Sequence, residues 1–265
     1  MGMTEYAAEQ AEAFAANRQL DPDAAAHWRE AVARHLRPRA GTRVLDLGAG
    51  TGTWARLFTD WYGIEMVAVE PSAEMRARSV FPGMLAGDAA ALPLPDAYVD
   101  GAWISTVIHH VTDLGAAAAE LRRVLRPGAP VLIRSAFAGR HEQITLFRYF
   151  PEAIRVLDGY PSVEQVRDTF TTAGFEFVAL EQVPQVSAAS LAQAVANLRR
   201  AAHTPLQLIS DAAYAAGLDR MRTAARVAGP DATPVVDRLD LLVLRRDGMR
   251  DGMRDERSDE VRDGK

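Results

Sequence analysis

The run Val44-Leu45-Asp46-Leu47-Gly48-Ala49-Gly50-Thr51-Gly52 constrains this chain more than any other stretch. A short apolar segment leads into three glycines on alternate positions and then into Trp54-Ala55-Arg56-Leu57-Phe58, which has a helical pattern. Glycine removes the Cβ where a chain must bend sharply or a ligand must lie against main chain, and the first N–H groups of a helix have no partner within it. The stretch therefore predicts a strand, a tight turn and a helix N-terminus that together form a small-molecule site built on backbone.

From Arg43 onward short apolar runs alternate with helical segments. Strands are expected at 43–47, 65–69, 83–86, 98–104, 130–135, 175–183 and 238–244. Helices are expected near 53–60, 72–79, 113–125, 162–173, 187–200 and 206–227. Strands of Val, Ile, Leu and Ala separated by helices specify an α/β fold with a doubly wound, Rossmann-like sheet, whose ligands bind beyond the carboxyl ends of the strands at the switch point. The glycine turn falls there. Before it, Tyr6, Ala7, Gln10, Ala13, Phe14 and Asn17 form one helical stripe, Asp21-Pro22 gives an N-cap and first-turn proline, and Trp28, Val32 and Leu36 make a second apolar face. Residues 1–40 are thus expected to be helical, either closing the sheet edge or acting as a lid whose Tyr6 and Phe14 meet the substrate. Residues 41–246 form the main domain, and 247–265, which repeats Asp-Gly-Met-Arg, is expected to be a disordered solubilising tail.

Several chemistries are excluded by what is missing. There is no cysteine, so no disulfide, thiolate nucleophile or cysteine-held metal can exist. The one lysine is Lys265, which rules out a Schiff-base or phosphate-loop lysine in the folded part. A net charge of -5 argues against a nucleic-acid partner. No long apolar run suggests a membrane span, and the first residues lack a basic, apolar leader pattern, so a cytoplasmic location is expected. Nothing in the sequence suggests a metal site or fixes an oligomeric state.

Glu70 ends the second expected strand, about 20 residues beyond the glycine turn, where a nucleotide-binding sheet keeps its ribose-holding acid. Asp88, in Gly87-Asp88-Ala89, follows the third and is placed to accept from an exocyclic amine, or to serve only as a turn residue. An adenosine-type ligand follows. The turn reads G-x-G-x-G with Thr53 where a nicotinamide fingerprint wants glycine, so an NAD(P)-dependent oxidoreductase is the weaker alternative.

Val44 to Gly52, Val69-Glu70-Pro71-Ser72, Gly87-Asp88-Ala89 with Leu92-Pro93-Leu94-Pro95, Val99 to Trp103, and Leu121 to Gly128 together resemble the class I S-adenosylmethionine-dependent methyltransferases, in the type 11 small-molecule branch. The resemblance covers about residues 40–136. It implies a seven-stranded sheet and S-adenosyl-L-methionine as cofactor. The cofactor would be held by Asp46, Gly48, Ala49, Gly50 and Gly52 at the turn, by Glu70, Pro71 and Met75 after the second strand, by Asp88 and Ala89, and by Ser105. It also implies in-line methyl transfer to a small molecule such as a secondary metabolite; a protein that binds the cofactor without transferring methyl is the other class of reading. Ile104 to His110 replaces the Asn/Asp-Pro-Pro-aromatic signature of base methyltransferases, which counts against nucleic-acid substrates.

Methyl transfer needs alignment, exclusion of water and, for a protonated acceptor, a base. His109 and His110 follow the fourth expected strand and are the candidates, with packing under the cofactor as the competing role; His141 is a third. Beyond the fifth strand, Phe137, Arg140, His141, Phe147, Arg148, Tyr149, Phe150 and Tyr160 crowd together. Elements at about 137–161 and 187–229 are expected to form a helical cap, with Arg140, Phe147 and Arg148 touching an apolar acceptor that carries an anionic or carbonyl handle.

Overall fold

The computed structural model describes residues 25–229 and 233–248. The expected lid residues Tyr6 and Phe14, and the tail from 249, lie outside them. The first described helix, α1 (Ala26–Leu36), buries Trp28, Ala31, Val32 and Leu36 at helical spacing and ends where Arg37 turns left-handed ahead of Pro38. Six strands follow: β1 (Arg43–Leu47), β2 (Glu65–Val69), β3 (Gly101–Ser105), β4 (Pro130–Ser135), β5 (Phe175–Ala188) and β6 (Val235–Arg246). Their order is β2-β1-β3-β4-β6-β5; β1 to β4 run parallel, and β6 lies antiparallel between β4 and β5. The chain steps from β1 out to β2 and then to β3 on the other side of β1, so the switch point lies between β1 and β3.

Both sheet faces are covered, as parallel strands with alternating apolar side chains require. On one face Leu45, Leu47, Ile104, Val131, Ile133, Leu242 and Leu244 pack against α4 (Leu114–Val124) and α7 (Val163–Thr172). On the other, Val44, Met66, Trp103, Leu132, Leu241 and Val243 meet α1 and α2 (Thr53–Tyr62). Trp28, Trp54, Phe58 and Trp103 interlock there, with Trp54 and Trp103 ring centres 4.9 Å apart. Five short helices or turns after β4 and one long helix before β6 build a third, separate core. Phe147 in α5 (Thr145–Tyr149), Leu157 in α6 (Ile154–Leu157), Leu206 in α9 (Thr204–Gln207) and Met221 in α10 (Asp211–Ala228) share it, with Leu191 of α8 (Leu191–Asn197) against its edge.

Among the described residues the sheet has six strands where seven were expected. Residues 83–86 form no strand: Leu85 makes a single parallel bridge to Val69, between Gly83 at φ 73 and Gly87, whose Cα is hemmed in by Pro93 and Val69. The fourth expected strand starts at Gly101 rather than 98, because Val99 bridges Leu125 instead of a sheet strand. The last two strands are longer than their apolar runs, since β5 and β6 pair with each other from Phe175↔Arg246 to Ala188↔Val235. Helix α8 accordingly begins at Leu191, not 187, and the 206–227 helix divides into α9 and α10.

Candidate active site

Of the candidate side chains, Asp46, Glu70, Ser105 and the His109–His110 pair lie at or just beyond the carboxyl ends of β1, β2 and β3. The glycine turn leaves β1 with Gly48, Gly50 and Gly52 all in the left-handed region, at φ 69, 59 and 79. Only glycine adopts this conformation routinely. Its donors are largely spent inside the protein: Gly48 and Ala49 N–H groups reach Val69 O at 2.8 and 3.1 Å, and Gly52 N–H reaches Ala49 O at 2.8 Å. The turn thus offers a shaped surface more than a row of unused donors, which narrows the expectation drawn from the helix start.

Glu70 follows β2 and closes against the glycine turn. It is 4 % exposed, and its carboxylate accepts from Gly50 N–H and Ser72 N–H, both at 2.9 Å. Each carboxylate oxygen keeps a lone pair for a further donor. Burial pushes its pKa up, opposed by those two N–H groups and by Arg76. The Arg76 guanidinium donates to the Glu70 and Pro71 carbonyls, and Met75 is buried in α3 (Ala73–Ala77), which Ser72 caps.

Asp46 is the most unusual group. It is 1 % exposed, and its Oδ2 is buried without a hydrogen-bond partner. Burial first, then the neighbouring Glu70 charge, raise its pKa from 3.8 to about 7, against the lowering effect of the Ala55 N–H. Two buried carboxylates at one glycine turn suit a ligand that brings positive charge, such as an ammonium and a sulfonium. The residues present therefore fit an amino-acid nucleoside of that kind. Asp88 follows the Leu85 bridge, where its carboxylate caps Ala90 N–H at 2.9 Å beside the buried Ala89.

The end of β3 carries Ser105, then Thr106 at φ 55, a strained value for a β-branched residue. A single 3₁₀ turn, Ile108–His110, follows. The His109 ring lies flat against Tyr160 (centres 4.1 Å apart, 9° between planes) and 4.1 Å from the His110 ring. His141 sits on the loop after β4 with its ring edge against Phe147, and that loop is tied to β6 by three links. Arg140 donates to both oxygens of buried Asp240 at 2.6 and 2.8 Å, Arg238 N–H reaches Gln143 O at 2.9 Å, and Thr145 N–H reaches Asp237 at 2.6 Å. The guanidinium of Arg140, expected to meet an acceptor, is thus engaged by Asp240. Phe147 is buried in the third core, and Arg148 lines an open groove with Tyr149, Arg220 and Val227 rather than the strand ends.

The sequence alone did not single out Arg134. Its buried guanidinium at the end of β4 stands over the Trp28 and Trp54 rings at 4.9 and 5.4 Å and donates to Ser105 Oγ and Gln185 Oε1. Alternation along β4 places it on the α1 and α2 face, but no motif announces it. Among the described residues, no cluster of three or more His, Asp and Glu suits a metal ion, and no helix is long and apolar enough to cross a membrane.

Residues 45–133 match the family described as a methyltransferase domain. The chain is 38 % identical over 121 residues to a ubiquinone/menaquinone biosynthesis C-methyltransferase of Caulobacter vibrioides, a match covering 40 % of this chain and 48 % of that protein. The chain thus spans about half the length of the curated relatives it matches. Among solved structures, a putative methyltransferase from an antibiotic biosynthesis pathway of Anabaena variabilis superposes with a TM-score of 0.65 at 20 % identity, over 82 % of this chain and 96 % of that one. The [4+2]-cyclase SpnF superposes with a TM-score of 0.59 at 20 % identity, over 87 % and 84 %.

Proposed function

Because the chain carries a class I S-adenosylmethionine-dependent methyltransferase domain, we propose that it binds S-adenosylmethionine at the glycine turn and transfers its methyl group to a small-molecule acceptor. The observation that carries the reading is the buried Asp46–Glu70 pair beside Gly50, with Asp46 Oδ2 lacking a partner. When bound, the cofactor supplies a methyl group on a sulfonium, which needs no metal or covalent intermediate to leave.

The remaining work falls to the chain. Asp46 and Glu70 attract the cofactor's positive charge, and the open lone pairs of Glu70 accept from its ribose hydroxyls. Asp88 stands at the adenine end. His109, beside His110 in the turn after β3, takes the acceptor's proton as it is methylated, a contribution of about 10²–10⁴ in rate. The third core, built from 144–160 and 191–221, closes the acceptor side as a cap and keeps water out.

Calorimetry with S-adenosylmethionine, S-adenosylhomocysteine and NAD tests the first half. Binding of the first two and not the third is expected; binding of NAD alone would return the chain to hydride transfer. Methyl-labelled cofactor offered with a panel of phenols, hydroquinones and enolisable keto acids tests the second. Tight cofactor binding with no label moved to any acceptor would leave a binding protein rather than a transferase.

A further inference from the structure

The His109–Tyr160 stack joins parts of the protein that belong to different cores. Ile108, in the same 3₁₀ turn as His109, is buried in the core between the sheet and α4. Tyr160 sits in the short link from α6, whose Leu157 is buried in the cap core, to α7, whose Val163 and Val166 are buried against the sheet. Its own ring packs against the cap core, and the link is held by Tyr160 N–H to Leu157 O at 2.9 Å and by the Ser162–Gln165 capping box. Ala138 N–H reaches Pro161 O at 3.4 Å, so the loop that carries His141 touches the same point.

A three-residue 3₁₀ turn does little to fix the side chains it bears, because its hydrogen bonds are few and poorly aligned. The neighbouring backbone adds strain rather than rigidity, with Thr106 at φ 55. The broad, near-parallel face of Tyr160 is a contact that sets the plane of the His109 ring.

We propose that Tyr160 is a positioning residue that fixes the His109 ring and ties its orientation to the cap, so that an acceptor settling against the cap also sets the base. The proposal rests on His109 acting as the base in the reading above. Orientation is worth much in such a site, since a misplacement of about 1 Å costs roughly 10²-fold in rate.

The test uses the full chain with S-adenosylhomocysteine bound and its histidine rings isotope-labelled for NMR, His109 being assigned by its disappearance in His109→Gln. In the wild type the His109 ring protons are expected upfield, under the tyrosine ring current. Tyr160→Ala should move them downfield and broaden them, while the His35 signals beside Glu181 stay in place and report an intact fold. Tyr160→Phe should restore the wild-type positions. With the best acceptor of the panel, kcat should fall roughly 10- to 100-fold in Tyr160→Ala, the cofactor KM should hold, and Tyr160→Phe should recover the rate. Unmoved His109 signals in Tyr160→Ala would overturn the proposal without any acceptor being needed. So would a Tyr160→Phe variant as impaired as Tyr160→Ala, which would assign the role to the hydroxyl. Turnover retained by His109→Gln would instead remove the base, and with it this consequence, whatever the ring signals show.

Discussion

Replacing Asp46 by Asn should stabilise the unliganded protein and weaken its hold on the cofactor, with both effects shrinking as the pH falls. Asp46 is 1 % exposed, and its pKa is raised from 3.8 to about 7, by burial and then by Glu70. An acid with a raised folded-state pKa makes the folded state bind more protons than the unfolded one between those two values, so stability falls as pH rises through that window and is lowest above about 7. At about 1.4 kcal/mol per pKa unit, keeping Asp46 ionised at pH 8 costs the fold on the order of 4 kcal/mol. Asparagine has the same shape without the charge, but its buried amide must find acceptors, a cost of about 1–2 kcal/mol. The net expectation is a gain of about 2–3 kcal/mol at pH 8 that disappears at pH ~5 and becomes a loss of about 1 kcal/mol at pH ~4. Urea unfolding of both proteins between pH 4 and 8 reads this as the gap in ΔG at constant m. S-Adenosylhomocysteine, which keeps the ammonium, should bind the wild type more tightly as pH rises, by up to about tenfold per unit below 7, and then level off. Asp46→Asn should bind it with a flat pH profile. A stability gap that does not change with pH, or a wild type more stable than the variant at pH 8, would mean that Asp46 is not an uncompensated buried charge.

Glu70→Ala removes the acceptor of two backbone N–H groups as well as the proposed ribose contacts, and should weaken cofactor binding by about 1.5–3 kcal/mol; calorimetry checks it, and an unchanged Kd refutes the ribose role. Arg140→Ala strands Asp240, whose side chain is 4 % exposed, and should destabilise the fold by about 2–4 kcal/mol, less than for a fully buried pair because Arg140 is 35 % exposed. Should denaturation instead show unchanged stability with a raised acceptor KM, Arg140 would be the anion handle after all.

The parts of this fold that are local in sequence are legible from it. The glycine turn shows because three left-handed residues in five positions admit little but glycine. The β-strands β1, β2 and β4 show because their burial on both faces leaves mostly apolar runs, broken in β1 only by Asp46. The strand at 83–86 was misread for the same reason. Met84-Leu85-Ala86 is apolar, yet the run is too short between its two glycines to continue past one bridge. The extra length of β5 and β6 is invisible locally, since residues such as Pro184, Gln185, Asp237 and Arg246 are strand residues by virtue of the strand opposite, across a separation in sequence filled by the cap.

The site divides along the same line. Asp46 and Glu70 could be placed by spacing from the turn, but not the fact that one of them is left with an unpartnered oxygen, which depends on how α2 and β2 close over them. An arginine among aromatics suits an acceptor contact or an ion pair alike, and only the pairing of β4 with β6 brings Asp240 against Arg140. The His-His pair was readable, whereas its partner Tyr160 lies 51 positions on from His109 and meets it only because α6 and α7 fold onto different cores. A base whose orientation is fixed from the cap can be tuned by changes in the cap while the glycine turn and its acids stay as they are. Acceptor choice in this chain should therefore respond to substitutions in 144–160 and 191–221 with little change in cofactor affinity, and a cap substitution that altered both together would show that the two halves of the site are not separable.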